Sequence, residues 1–176
     1  MATATEQLQG SYVLDHVHSS ASFAVKHMVV STFRGRFEKF DATLTDGKLV
    51  GTVDVGSIVV KDENLAAHLQ SPEFFDAERH PELRFESTQI SPVDDETFEI
   101  AGDLTMNGVT KPITLTAEVQ GEETDPWGNE RVALEVTGQL NRGDWNMTFN
   151  QALGSGNLLV GEKVKLQLDI AAVKKG

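Results

Sequence analysis

A chain of 176 residues has room for one domain with a sizeable core, and two would be cramped. Fifteen Lys and Arg against 27 Asp and Glu leave a formal net charge of −12, which repels polyphosphate and argues against nucleic-acid binding and against electrostatic docking on anionic membranes. There is no cysteine, so disulfides, thiolate zinc sites and cysteine nucleophiles are excluded.

Residues 1–10 (MATATEQLQG) have neither a basic start nor an apolar core. They read as a flexible tail with no signal peptide, and the protein as cytoplasmic. No run approaches the ~18 apolar residues of a membrane span. Tyr12-Val13-Leu14 is a short strand ending in Asp15-His16-Val17-His18-Ser19. Residues 22–40 read as one long extended stretch, with Phe23, Val25 and His27 on one face and Ala24 and Lys26 on the other. Met28-Val29-Val30 interrupts the alternation as a bulge or corner before Phe33, Gly35 and Phe37 resume it. Ala42 and Leu44 lead to a turn at Asp46-Gly47, after which Leu49, Gly51, Val53 and Val55 share a face.

Over residues 62–81 the period changes. Leu65, Ala66 and Leu69 suit one side of a helix capped by Asp62 or Asn64, and Ser71-Pro72 opens a second short turn packed down by Phe74-Phe75. Strands return with Leu83, Phe85 and Ser87. The clearest alternation follows, over residues 97–119: Phe98, Ile100, Gly102, Leu104 and Met106, then Ile113, Leu115, Ala117 and Val119. Asn107-Gly108 lies between the two runs and signals a hairpin, with a six-residue link over 107–112. Residues 123–130 are a turn. Val132, Leu134, Val136, Gly138 and Leu140, then Trp145, Met147 and Phe149, then Val164, Leu166, Leu168 and Ile170 complete the strand series.

These patterns give an all-β chain of roughly eight strands with one short helical insertion near 62–81. Nothing alternates strand with helix as a parallel sheet would. A sandwich and an up-and-down barrel both suit long one-sided strands; closure, which removes edges, favours the barrel. Gly51, Gly102, Ala117 and Gly138 on the apolar face leave space inside it, although a glycine can equally mark a bend.

An ordered series of short motifs adds to this reading. It comprises Tyr12-Val13-Leu14-Asp15 with His18-Ser19, Phe23-Ala24-Val25-Lys26-His27-Met28, and Arg34-Gly35-Arg36-Phe37. It continues through Phe74-Phe75-Asp76 with His80-Pro81, Phe85-Glu86-Ser87-Thr88, Gly102-Asp103-Leu104-Thr105, Gly108-Val109-Thr110-Lys111-Pro112 and Asn141-Arg142-Gly143-Asp144. No one motif is specific, but in this order they resemble the YceI family of lipocalin-like polyisoprenoid-binding proteins, from about Tyr12 to Ile170. The family's usual glycine after the aromatic of Arg-x-Asp-aromatic is Asn146 here, a residue that tolerates the left-handed conformation. Many members of the family carry an export signal that this sequence lacks.

The resemblance implies an extended eight-stranded antiparallel lipocalin-like barrel over residues 11–173, enclosing a tunnel for a polyprenyl chain or an isoprenoid-quinone tail. It also implies a homodimer. Burial at about 0.8 kcal/mol per methylene makes such a site strong without polar contacts. The lining expected from the alternation is Phe23, Val25, Val53, Val55, Phe85, Ile100, Leu104, Met106, Leu115, Val136, Trp145, Met147, Leu166 and Leu168. His27 is either a hydrogen-bonded core histidine or a polar contact for the ligand's head group.

The chemical alternatives are weaker. His16, His18 and His27 lack a ligand set for metal. Asp15, His18 and Ser19 have triad residue types but sit in one capped turn. Arg142 reads as a turn residue pairing with a carboxylate. Phe74-Phe75 is a lid over a tunnel mouth or a helix packed on the barrel. The function expected is non-catalytic binding, storage or transport of the isoprenoid, with no cofactor and no metal. The rivals are an enzyme using His27 or His18 as base and a filled barrel acting as a stress-response or interaction module.

Overall fold

The computed structural model describes residues 10–175, so all but one residue of the expected tail lies outside it. Eleven strand segments follow in order: β1 (Ser11–Leu14), β2 (Ser20–His27), β3 (Ser31–Phe37), β4 (Phe40–Thr45), β5 (Lys48–Asp54), β6 (Ile58–Val59), β7 (Glu82–Pro92), β8 (Thr97–Met106), β9 (Val109–Thr124), β10 (Glu130–Asn141) and β11 (Val160–Lys175). The helix α1 (Glu63–Gln70) lies between β6 and β7.

The first six segments are three long strands, each broken once. β1 pairs with β4 and β2 with β3, so β1–β2 acts as one strand beside β3–β4. β5 and β6, separated by a 3-10 turn at Val55–Ser57, pair with β4 and β3 in the same way. From β5 the sheet runs through β7, β8, β9, β10 and β11, every pair antiparallel. β11 then pairs with both β1 and β2, which closes an eight-stranded up-and-down barrel. Its inward face collects the alternating apolar residues. Glu99 and Asp103 on β8, for example, are exposed while Phe98, Ile100, Leu104 and Met106 are buried. No described helix is long and apolar enough to cross a membrane.

Three local readings change. The break at residues 28–30 is a full chain reversal, because Val25 pairs with Phe33 across an antiparallel hairpin. The hairpin after β8 turns on Asn107-Gly108 alone, both with positive φ (52° and 75°), and Met106 pairs with Val109. The two-residue turn follows from residues that accept that conformation at both central positions, so residues 109–112 belong to β9. Finally, Trp145, Met147 and Phe149 are not a strand: Arg142–Trp145 is a 3-10 turn and the chain beyond it is irregular.

Of the two caps expected for the helix, Asp62 and Asn64, the structure uses Asp62. The Asp62 carboxylate accepts from the N–H groups of Asn64 (2.8 Å) and Leu65 (3.2 Å), satisfying donors the first turn cannot pair. Asn146 takes the left-handed conformation (φ 60°, ψ 22°), and its N–H donates back to Gly143 O. A β-branched residue there would cost about 1–2 kcal/mol, so Asn146→Val should lower the urea midpoint while Asn146→Gly leaves it unchanged or raised.

The β1–β2 break is held by charge. The Asp15 carboxylate accepts from the Val17 and His18 N–H groups, from His18 Nδ1 (2.8 Å) and from Arg131 Nη1 (2.8 Å). Arg131 Nε donates to Asp125 (2.8 Å), so one guanidinium ties the β1–β2 link to the β9–β10 turn. The His18 hydrogen bond, with Arg131 next, lowers the Asp15 carboxyl to about 2 from its ordinary 3.8. With the folded-state value below the unfolded one, this stabilisation is complete above 3.8 and is lost as pH falls through about 2. Urea midpoints measured across that window should fall less steeply in Asp15→Asn than in the wild type.

Candidate functional site

The barrel interior holds two chambers. The upper one, about 270 Å3, lies toward the β4–β5, β7–β8 and β9–β10 turns; its lining runs from Tyr12 and Leu44 through Ile100 and Leu115 to Ile170 and Ala172. The lower one, about 280 Å3, is enclosed by β2, β3 and β11 on one side and by α1 and the residues after β10 on the other. Phe23, Phe37, Leu83, Met106, Leu140 and Leu166 border both chambers and form a waist. The expected tunnel is therefore constricted in the middle, at side chains that include one flexible methionine. Along β11 the lining extends from Val160 to Ala172, which at about 3.3 Å per residue and the usual barrel tilt is an axial length of ~30 Å.

Twelve of the fourteen expected lining residues, and His27, border these spaces. Val53, Phe85, Ile100, Leu104, Leu115, Val136 and Leu168 face the upper chamber. Val25, His27 and Met147 face the lower, and Phe23, Met106 and Leu166 face both. Val55 and Trp145 border neither. Val55 is fully buried in the 3-10 turn that follows β5, its N–H donating to Pro81 O, because the strand has ended before it. Trp145 is buried with its Nε1 donating to Leu104 O (3.0 Å), while Asn107 Nδ2 donates to Trp145 O (3.0 Å). It packs the turn against the β8–β9 hairpin instead of the cavity.

His27 shares the inward face of β2, but at the strand's end it is exposed at the rim of the lower chamber, not a core histidine. His18 is further removed. Its ring is on the surface, bonded to Asp15, and the Ser19 hydroxyl is engaged by the backbone of Ala171. The Asp15-His18-Ser19 cluster is a capped turn. No group of three or more metal-ligating side chains occurs among the described residues.

Small inward residues contribute unequally. A Cβ on Gly51 would meet nothing nearer than Asp41 O at 3.8 Å, so this position is open space in the upper chamber. Gly102 and Gly138 leave no such space: Gly102 seats the Phe85 ring, and a Cβ at Gly138 would meet Leu115 Cδ2 at 2.6 Å. Both glycines allow a neighbouring side chain to lie flat on the strand.

The lower chamber's cover was partly legible. Phe74 and Phe75 both line it, and Phe75 meets Phe37 edge-on at 5.9 Å. Leu65, His68 and Leu69 of α1 and Phe149 complete the cover, with the His68 ring against Phe74 (5.0 Å) and Phe149 (4.9 Å). Glu73 holds His68 Nε2 at 2.6 Å. Alternation could not place these residues, because α1 meets residue 149 only in three dimensions. Phe37 and Leu83 did carry a strand signal, in the Phe33-Gly35-Phe37 and Leu83-Phe85-Ser87 rows.

Arg142 departs furthest from expectation. It is buried, 4% exposed, and pairs with no carboxylate among the described residues; its guanidinium donates to the carbonyls of Gly161 (2.8 Å), Met147 (2.6 Å) and Val160 (3.3 Å). The cation lies 5.9 Å from the Phe74 ring centroid. Burial pulls its pKa down from the ordinary value, opposed by Glu162. One of these carbonyls, Met147 O, belongs to the irregular backbone after β10, and the other two lie at the start of β11, where its register with β2 shifts between Val160 and Val164. Arg142 gives these groups a donor and so ties the two segments into the wall of the lower chamber.

Comparison with known proteins places this architecture. The model of the YceI-like domain matches residues 12–172. Protein YceI of Salmonella newport is 35% identical over 165 residues, 90% of this chain and 83% of that protein. Among solved structures, BcnA of Burkholderia cenocepacia superposes with a TM-score of 0.74 at 19% identity, over 90% of this chain and 98% of its own. A polyisoprenoid binding domain from Saccharophagus degradans gives 0.74 at 14% identity, over 93% of this chain and 98% of its own. With its closed barrel, its cover over residues 62–81 and a match across nearly the whole described chain, this protein belongs to the YceI-like domain family.

Proposed function

We propose that this protein binds a long apolar isoprenoid, of the polyprenyl or isoprenoid-quinone type, and stores or carries it without chemically changing it. The observation that carries this reading is the pair of chambers along the barrel axis, walled almost wholly by aliphatic and aromatic side chains. Their combined length of ~30 Å is about the thickness of a bilayer's hydrocarbon core, so the ligand is one that normally resides there. Each methylene buried contributes about 0.8 kcal/mol, and shape with dryness supplies the rest. A chain longer than one chamber crosses the waist by turning Met106, whose unbranched side chain repacks more cheaply than a β-branched one.

The name of the Saccharophagus domain supports the same ligand class. Against the enzyme alternative, the side chains bordering the chambers place no nucleophile beside a base: His27 stands at the rim, and His68 is bonded to Glu73 and wedged between two aromatic rings. His27→Ala should therefore keep the fold and weaken uptake, measured by isoprenoid loading from detergent, with no turnover of any substrate to lose.

Organic extraction and mass spectrometry of the purified protein should yield a co-purifying isoprenoid; repeatedly clean extracts of well-folded protein would count against the proposal. Gly51→Leu fills open space in the upper chamber without a backbone clash. It should fold normally and lower isoprenoid loading at least about tenfold, whereas unchanged loading would place the ligand elsewhere.

A further inference from the structure

Four large apolar side chains are exposed together at the lower end of the barrel. Met28, Val29 and Val30 (45%, 54% and 85% exposed) form the β2–β3 turn, and Leu158 (43%) precedes β11. The Met28 N–H donates to Leu159 O (2.8 Å), which joins the two segments. The residues flanking this tip, His27 and Leu159, line the lower chamber, so the chamber reaches the surface beside it. The turn does not need this composition to reverse the chain. Val29 has φ 68° and Met28 φ 52°, a conformation that β-branched residues rarely adopt and that Asn-Gly provides freely at the β8–β9 hairpin.

Charge is distributed to match. Arg34, Ala24 and Lys165 lie in one row across β3, β2 and β11, next to Lys26 and Lys163. Glu162 and Glu38 are interspersed, the latter held by Arg36 at 3.3 Å, and the helical cover adds Asp62, Glu63 and Glu73, the last bonded to His68. Asp46, the run Asp94-Asp95-Glu96, and Glu122, Glu123, Asp125 and Glu130 occupy the turns and strand ends at the opposite end. β11, at 3.3 Å per residue and the usual barrel tilt, separates the ends by about 40 Å along the axis, several times the ~8 Å screening length of physiological salt. Much of the net charge of −12 is thus remote from the apolar tip, where Lys and Arg side chains stand among the carboxylates. The exposed Trp127 (80%) sits at the acidic end.

We propose that the Met28–Val30 tip and Leu158 dock on the surface of a phospholipid bilayer, holding the rim of the lower chamber against it. An apolar ligand then passes between bilayer and barrel without crossing water. This rests on the isoprenoid-binding reading for its purpose, while the docking itself is tested separately.

The test is flotation of the whole protein with vesicles of phosphatidylethanolamine and phosphatidylglycerol at physiological salt. Wild type should float. Val30→Asp, which alters an exposed side chain, should lower the bound fraction at least about fivefold while taking up isoprenoid from detergent micelles as wild type does. Tryptophan emission should not shift to the blue, because Trp145 is already buried and Trp127 is at the far end. Wild type left at the bottom of the gradient, Val30→Asp floating equally well, or a blue shift marking the Trp127 end as the one that inserts would each overturn the proposal. So would sedimentation showing a wild-type dimer that Val30→Asp splits, since the tip would then cover a second copy. Protein that floats through the tip but loads nothing from detergent would uphold the docking surface and overturn the ligand reading instead.

Discussion

The pairing of one long strand with two separate segments makes this sheet a tube. β11 bonds to β10 along one edge and to β2 and then β1 along the other. These are backbone hydrogen bonds, so closure leaves no long unpaired edge between the first and last strands and turns every inward side chain toward the axis. The price is paid at the Asp15 to Ser19 link, where the chain leaves the ladder. The carboxylate of Asp15 and the guanidinium of Arg131 supply the bonds the ladder gives up.

Two further accommodations follow from that tube. An eight-stranded barrel has an interior that side chains just fill, and here they fill it unevenly. Rings and leucines converge at the waist, while Gly51 leaves room above it. Below, the barrel would be open, and the residues after β10 fold across it as irregular backbone whose carbonyls need donors. Arg142 meets one of them, Met147 O, together with the carbonyls of Val160 and Gly161 at the start of β11. A buried cation without a carboxylate partner is costly, and it is tolerated because its work is to bind backbone next to a space that must stay dry.

Polarity is arranged along the barrel axis as well as across its wall. The acidic turns gather at one end and the exposed apolar tip at the other, where α1 and the residues after β10 also lie. A composition sum merges the two ends into a single acidic average. The local arrangement, and not that average, sets what each end presents to its surroundings.

Periodicity by itself determined the all-β class, the apolar faces of β2, β8 and β11, a helix opening at Asp62 or Asn64, and twelve of the side chains that border the chambers; a thirteenth, Met147, was reached through a strand that does not form. Those features follow from the two-residue period and from local hydrogen bonding, which need no partner to be named. The family resemblance, carried by an ordered series of short motifs, supplied the barrel closure and the expected ligand. Only the tertiary structure decided that Gly102 and Gly138 seat neighbouring side chains, that Val55 and Trp145 face away from the cavity, and that His68 and Phe149 cover it. It also converted Arg142 from a surface turn residue into a buried anchor. Each of these depends on which strand or loop lies across from the residue, and alternation records a side chain's face but never what stands opposite it.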